Sequence, residues 1–153
     1  MKEELPFDEI KNIFTQYLIA NKHRKTFERY AILEQAYQLD EHFNAESLYS
    51  MMKEEHRVSL ATVYNTLELL IDAQLIVKHQ FGRQEAQYEK TFGNKIHNHL
   101  VCTNCGKIKE FSDKAIRSAI QAKEFPDFRK THYSLYVYGL CKKCLNKLNN
   151  HRK

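Results

Sequence analysis

The sequence lacks any apolar run long enough to cross a bilayer, which takes about 20 consecutive apolar residues. It also has no apolar segment near its first residue, because its opening letters, MKEELPFDEIKNIF, are charged and amphipathic. A secretory signal needs an apolar core in this region. We therefore expect a protein of the cytosol with no membrane partner.

The local motifs of several enzyme classes are absent as well. The sequence has no nucleophile elbow, no phosphate-binding glycine loop and no HExxH pair. It also contains no internal repeat or low-complexity tract. With 153 residues, 42% of them hydrophobic, the chain can form one ordinary domain or two small ones.

The formal net charge of +5 is unevenly distributed. Residues 1–90 contain 11 basic and 15 acidic residues, a net −4, whereas residues 91–153 contain 13 and 4, a net +9. In the N-terminal part, only the cluster Lys22, Arg24, Lys25 and Arg29 looks like a phosphate-binding surface. A solvated helix boundary explains this cluster equally well.

Helical periodicity dominates the first 72 residues. Three amphipathic segments are followed by a fourth that opens at Ser59, and both Asn44 and Ser59 are typical N-cap residues. The segments LIVKHQF and AQYEK then alternate like β-strands and meet around Gly82-Arg83, which predicts a hairpin. Helices followed by a small hairpin indicate a winged helix-turn-helix, with residues 59–72 as its recognition helix.

The outer face of that helix carries mainly small and polar side chains. On a helical wheel, Ala61, Thr62, Asn65 and Leu69 lie opposite the apolar stripe, with Tyr64 at the border. Thr and Asn hydrogen-bond to bases, and Tyr or Ala contacts a thymine methyl group. The wheel alone also fits an ordinary surface helix.

The chain changes character after TFGNK, residues 91–95. HLVC and KIKEF are typical of short strands, SDKAIRSAIQAKEF of a capped helix and HYSLYVYGLC of an alternating strand, which predicts a small α/β unit. Two CxxC pairs lie in this unit with 35 residues between them. Two such knuckles complete a tetrahedral shell of four sulfurs, so we predict a structural zinc, with a dithiol redox pair or unmetallated cysteines as the alternatives. The predicted zinc ligands are Cys102, Cys105, Cys141 and Cys144.

A second group of metal-binding side chains lies beside the first CxxC pair. His97 and His99 are two positions apart in an extended segment, so their rings project to the same side. Glu110 is on the strand predicted to face them. The three side chains can chelate an ion or be surface polar residues, and their spacing leaves both interpretations open.

Four motifs resemble those of the ferric uptake regulator family of metal-dependent repressors. They are AESLY after His42, SLATVYNTLELLIDAQLI, HNHLVCTNCGKIKEFSD and SLYVYGLC, in the family's order. The resemblance implies an α+β homodimer. Each subunit then has a winged-helix DNA-binding domain at 1–90, a hinge at 91–96, and a dimerisation and metal-binding domain at 97–153.

The resemblance also implies the residues of each site. The two CxxC pairs fall on positions that hold a structural Zn(II) in some members. A regulatory Fe(II), with Zn(II) or Mn(II) in its place as alternatives, is implied to act as corepressor on double-stranded DNA with an inverted-repeat operator. Its implied ligands are His42, Glu89, His97, His99 and Glu110. The DNA-contacting set comprises Tyr64 at the bases, Arg29 and Arg57 at the backbone, and Thr62 and Asn65 from the helix wheel.

The chain departs from the family pattern at an additional metal site that many members carry in the dimerisation domain. The corresponding positions hold Ile96, Asn98, Arg117 and Tyr133, with His132 one place off. We therefore expect this additional site to be absent.

The sensed signal is less defined than the fold. Peroxide-sensing relatives tend to have aspartate where this chain has Glu89, so the glutamate argues against peroxide sensing and favours iron. Asn65, by contrast, resembles the residue of the peroxide sensors. Zinc, manganese and peroxide sensing therefore stay open as alternatives. Two functions of another class also stay open on the residues alone: a zinc-ribbon enzyme that uses His97, His99 and Glu110 to hold a catalytic ion, and a zinc scaffold for a protein partner.

Overall fold

The chain divides into two compact units, Met1–Lys95 and Ile96–Lys153. The computed structural model describes residues 4–81, 84–93 and 97–152. Each unit contains both helices and strands, as predicted for the α+β class. The division falls within residues 91–96, whose role as a hinge stays a prediction. Among the described residues, no helix combines the length and the apolar character needed to cross a membrane.

Four helices and a hairpin make up the N-terminal unit. The helices are α1 (Phe7–Ala20), α2 (Phe27–Gln38), α3 (Ala45–Met52) and α4 (Leu60–Asp72). The strands β1 (Ile76–His79) and β2 (Gln87–Lys90) pair antiparallel, which confirms the predicted hairpin strands. Its predicted turn at Gly82-Arg83 lies outside the described residues.

Both predicted N-caps are present. The side chain of Asn44 accepts a hydrogen bond of 2.7 Å from the Ser47 N–H, and the Ser47 hydroxyl completes a capping box. Ser59 accepts a hydrogen bond of 3.1 Å from the Thr62 N–H. Such caps satisfy backbone donors that a helix start leaves unpaired, so they fix where α3 and α4 begin.

A single apolar core lies within the N-terminal unit, where α1 to α4 and the hairpin meet. Leu69, which the wheel placed on the outer face of α4, is half-buried and packs against this core. The fully buried members include Phe14, Leu18, Ile32, Leu48, Leu67, Leu70 and Leu75. Burial of such side chains stabilises a fold by roughly 1.5–3 kcal/mol each.

The C-terminal unit is built on a three-stranded sheet. Its strands are β3 (Asn98–Cys102), β4 (Ile108–Phe111) and β5 (Tyr136–Gly139), in the order β4-β3-β5. The central strand pairs antiparallel with β4 and parallel with β5. Helix α5 (Lys114–Ala122) follows β4, and Asp113 caps it by accepting from the Ile116 N–H at 2.9 Å.

Helix α6 (Lys142–Asn150) was not predicted from the sequence. It begins directly after Cys141 and contains Cys144 in its first turn. The observed β5 is also shorter than the ten-residue segment predicted as a strand, because only Tyr136–Gly139 pairs with β3.

Candidate metal centres and DNA-binding helix

The four cysteines meet where β3 ends and α6 begins. Cys102 is the last residue of β3, and Cys105 lies in the tight turn that leads towards β4. Gly106 follows with a φ of 76°, a left-handed conformation that glycine adopts without strain. Cys141 is the N-cap of α6, and Cys144 follows one turn later. Register places Cys102 opposite Gly139, which brings the two CxxC pairs together.

The geometry of this cluster fits a four-coordinate metal. The four sulfur atoms lie within 4.8 Å of one another, and the cysteines form no disulfide. Cys105 Sγ and Cys141 Sγ are 3.8 Å apart. The Asn104 amide donates to Cys144 Sγ at 3.2 Å, and the Cys141 N–H donates to Cys102 Sγ at 3.3 Å. N–H groups that donate to sulfur stabilise the thiolate form, which is the form that binds a metal.

The pKa values of the thiols also fit a metal site. Hydrogen bonds from the backbone N–H groups of Cys105 and Cys141 lower the pKa of Cys102 to about 6. The pKa of Cys144 is lowered by the Asn104 amide, but the neighbouring sulfurs and burial outweigh this and raise it to about 11. Four sulfurs this close ionise together only when a cation offsets their repulsion. The chemistry of the donor set therefore suits a thiophilic divalent metal.

Two histidines hold one carboxylate in the N-terminal unit. Glu89 projects from β2, and its Oε2 lies 3.1 Å from His42 Nε2 while its Oε1 lies 2.5 Å from His79 Nε2. His42 is held beside β2 because Phe43 and Tyr88 exchange two backbone hydrogen bonds of 3.0 and 2.7 Å. The arrangement gives two imidazoles and one carboxylate in a space that is largely shielded from solvent.

His79 is a member of this group that the sequence reasoning missed. Its side chain is 2% exposed, and its ring stacks on Phe81 with centroids 5.4 Å apart. Val77 pairs with Glu89 in the hairpin, so His79 is the diagonal neighbour of Glu89 on the same face. A signal was available, because a histidine in the alternating segment LIVKHQF falls on the buried face of its strand.

The C-terminal unit supplies a second set of ligating groups. His99 on β3 is paired with Glu110 on β4, which confirms that Glu110 lies on the strand facing the histidines. His97 Nε2 lies 3.6 Å from Glu110 Oε1, and the His97 and His99 ring centroids are 4.8 Å apart. His99 is 1% exposed and stacks on Tyr136. The two imidazoles and the carboxylate of this set are therefore held in one small region.

The positions of the additional metal site present a different chemistry. Asn98, Arg117 and Tyr133 line one cleft together, and none of them is an imidazole or a carboxylate. Ile96 lies outside the described residues. The absence of this additional metal stays a prediction.

The predicted DNA-contacting residues lie on or beside α2 to α4. Ala61, Tyr64 and Asn65 are exposed on α4, and Thr62 is half-buried, with its hydroxyl 2.8 Å from that of Ser59. The Tyr64 hydroxyl donates to Glu46 Oε1 at 2.6 Å, and this hydrogen bond to a carboxylate raises the pKa of Tyr64 to about 12.

The two residues predicted to contact the DNA backbone, Arg29 and Arg57, are not part of α4. Arg57 is exposed just before the helix. Arg29 is half-buried at the start of α2, where its guanidinium donates to the Arg24 carbonyl. The helix-turn-helix geometry of α3 and α4 fits DNA recognition, while the role of each residue stays a prediction.

Comparison with known proteins agrees with this geometry. Residues 20–138 match the Ferric uptake regulator family. The chain is 35% identical over 150 residues to the ferric uptake regulation protein of Campylobacter jejuni, covering 94% of each chain. A structure of the Vibrio cholerae ferric uptake regulator, described as revealing a rearrangement of its DNA-binding domains, matches with a TM-score of 0.58 and 35% identity over 82% of this chain and 98% of the other.

The Helicobacter pylori ferric uptake regulator has a similar fold. Its structure, described as revealing three functional metal-binding sites, matches with a TM-score of 0.70 over 95% of this chain and 97% of the other, at 21% identity. Proteins of this family are metal-dependent transcriptional regulators and not enzymes, which excludes the zinc-ribbon enzyme. On the family match and the Campylobacter relative together, this chain belongs to the ferric uptake regulator family.

Proposed function

We propose that this protein is an iron-responsive repressor in which Fe(II) is the corepressor. In this proposal the ligands of one Fe(II) are His42 and Glu89 of the N-terminal unit together with His97, His99 and Glu110 of the C-terminal unit. The metal fixes the orientation of the two units and so sets the spacing of two α4 helices in a homodimer. That dimer then binds an inverted-repeat operator with half-sites about one helical turn apart.

The observation that supports this proposal most is that each of the two units places a histidine beside a glutamate. Each unit holds an imidazole nitrogen beside a carboxylate oxygen, at 3.1 Å for His42 and Glu89 and at 3.6 Å for His97 and Glu110. Nitrogen and oxygen donors this close together, with His42 and Glu89 largely shielded from solvent, form the kind of ligand set that a divalent cation binds. Imidazole and carboxylate donors suit Fe(II), Mn(II), Zn(II) and Co(II).

The sulfur cluster has a separate role in this proposal. Cys102, Cys105, Cys141 and Cys144 would hold Zn(II), which supplies a closed tetrahedral crosslink and no reactive position. Because soft thiolates select zinc while the imidazole and carboxylate set accepts iron, one chain can keep the two metals apart by ligand type. Thiols that must stay reduced also support a cytoplasmic location.

Metal binding and DNA binding are linked in this mechanism. If the metal favours the operator-binding form, the operator must tighten metal binding by the same factor. Couplings of this kind are typically worth about 1–3 kcal/mol, which is roughly a 5- to 150-fold change in affinity.

An anaerobic fluorescence-anisotropy titration tests the proposal. The zinc-loaded protein is titrated against a labelled inverted-repeat duplex at fixed salt, without added metal and then with Fe(II), Mn(II) or Zn(II). Salt is fixed because phosphate contacts alone shift DNA affinity by orders of magnitude. We expect micromolar Fe(II) to tighten binding by a factor within the range above, and His97→Ala to remove the gain.

The matched control is His151→Ala, because His151 is an exposed histidine at the end of α6. This variant should keep the full response to Fe(II). A response to Zn(II) or Mn(II) alone identifies a zinc or manganese sensor on the same ligands and overturns the iron assignment. If no metal changes DNA affinity, or if His151→Ala loses the response as His97→Ala does, the regulatory site itself is wrong.

A further inference from the structure

A cleft of about 240 Å³ lies in the C-terminal unit, next to the start of α5. It is smaller than pockets that take drug-sized ligands, which measure about 300–1,000 Å³, and so suits a small ion or molecule. None of its lining residues is a predicted metal ligand or DNA contact of this chain, although Asn98, Arg117 and Tyr133 occupy the positions of the family's additional metal site. The lining residues are Asn98, Ser112, Asp113, Lys114, Arg117 and Tyr133.

Two buried polar groups of this lining have no hydrogen-bond partner in the described part of the chain. They are the side-chain oxygen of Asn98 and the hydroxyl of Tyr133. Asn98 is 2% exposed, so solvent does not satisfy its amide. Buried polar groups are almost always paired with protein, water or ligand. Two unpaired groups at one cleft therefore point to a polar ligand.

The charged residues of the lining indicate whether that ligand is an anion or a cation. Lys114 and Arg117 lie one turn apart on α5, and within residues 97–152 neither has an ion-pair partner. Asp113 is the one acidic lining residue, and its Oδ1 already accepts the Ile116 N–H as the helix cap. The N-terminal end of the nine-residue α5 adds a partial positive charge. The cleft is therefore suited to an anion and unsuited to a metal cation.

We propose that this cleft binds a small oxyanion, a phosphate or a carboxylate. The planar guanidinium of Arg117 pairs with two oxygens of such an ion, and Lys114 adds a point charge. The Tyr133 hydroxyl donates a hydrogen bond. The Asn98 amide presents its NH₂ to the anion after a half-turn about its last side-chain bond, since both ends of the amide occupy nearly the same space.

Isothermal titration calorimetry on the zinc-loaded full-length protein tests this inference. Inorganic phosphate and succinate are titrated separately, in the absence of Fe(II) and DNA and at an ionic strength held constant with sodium chloride. We expect at least one of the two to bind saturably with one site per chain. Phosphate and succinate distinguish the two sources of the shared oxyanion chemistry.

Three variants locate the binding. Arg117→Gln should weaken it at least about tenfold, as expected for the loss of a charge-assisted hydrogen bond. Tyr133→Phe removes only a hydroxyl, so it should leave the fold intact and weaken binding about threefold to tenfold. Arg129→Gln, a charge-matched change at an exposed arginine outside the cleft, should bind as the parent does.

Two outcomes overturn the inference. One is the lack of saturable binding by both ions. The other is an equal weakening by Arg129→Gln and Arg117→Gln, which indicates non-specific attraction to the basic C-terminal unit. Neither result depends on the response to iron, so this inference and the proposed function can fail independently.

Discussion

At the scale of single residues, Tyr64 has both an apolar ring and an anchored hydroxyl. Its side chain is 41% exposed on α4, while its hydroxyl donates to Glu46 of α3 at 2.6 Å. The hydroxyl is protonated at neutral pH, as in any tyrosine, and the hydrogen bond to Glu46 raises its pKa further, to about 12. The bond to Glu46 therefore limits the rotation of the ring and leaves one face open to a thymine methyl group.

We predict that Tyr64→Ala weakens operator binding at least about tenfold while zinc content and oligomeric state stay unchanged. Tyr64→Phe separates ring from hydroxyl, because it keeps the apolar surface and loses only the bond to Glu46. It should therefore lose less affinity than Tyr64→Ala. Anisotropy titrations with the operator duplex measure both variants, and an Ala variant that binds like the parent removes Tyr64 from the interface.

The residue scale also shows where sequence reasoning stops. Asn44 and Ser59 were identified as N-caps because a cap depends on its neighbours within four residues. His79 was missed because its role depends on Glu89, which lies ten positions away and meets it only through the hairpin register. The Asn98 and Tyr133 pair was missed for the same reason, since only the fold brings residues 35 positions apart to one cleft.

At the scale of elements, α6 is held at its start by the sulfur cluster, because Cys141 is its N-cap and Cys144 lies in its first turn. Leu145 and Leu148 of this helix are each more than 40% exposed, so its contact with an apolar core is weak. Two of the four cysteines lie at its start, and short isolated helices are marginal in water. The spacing of the CxxC pairs is visible in the sequence, but the contacts that hold the start of α6 at the cluster are not, which explains why α6 was not predicted.

We predict that removing zinc unfolds α6 and leaves α1 to α4 intact. Hydrogen exchange measured by mass spectrometry should show that amides of Lys142–Asn150 and of the turn at Cys105 lose protection on chelation or in Cys144→Ser. The helices of the N-terminal unit serve as the internal control, because their core contains none of the cysteines. Unchanged protection of α6, or an equal loss in α1 to α4, contradicts this dependence.

At the scale of the whole molecule, the division into two units was visible in the sequence through periodicity and charge. Helical spacing with a net −4 precedes residue 91, and strand alternation with a net +9 follows it. The structure adds a surface that no sequence pattern marked. Leu100 on β3 and Val137 on β5 are paired in the sheet and are both exposed in the single chain, at 38% and 45%.

That apolar surface belongs to the unit expected to dimerise. Members of this family form dimers, and paired positions on neighbouring strands share one face of a sheet. Tyr138 is on the opposite face of β5, where its ring lies near that of Tyr136, so the exposed apolar pair of this face is Leu100 and Val137. Contiguous apolar surface of this kind is typical of an interface that a partner covers. We therefore predict that the two-fold contact includes this face of β3 and β5.

We predict that Val137→Asp shifts the protein from dimer to monomer, because the interface would bury an unpaired carboxylate. Sedimentation velocity measures the oligomeric state, and metal analysis checks that the variant keeps its zinc. Ile19→Asp is the matched control, since Ile19 is equally apolar and 52% exposed but lies in the N-terminal unit. It should remain a dimer. A monomer binds only one half-site, so Val137→Asp should also lose cooperative binding to the full operator. If Val137→Asp stays dimeric, the dimer interface does not include β5.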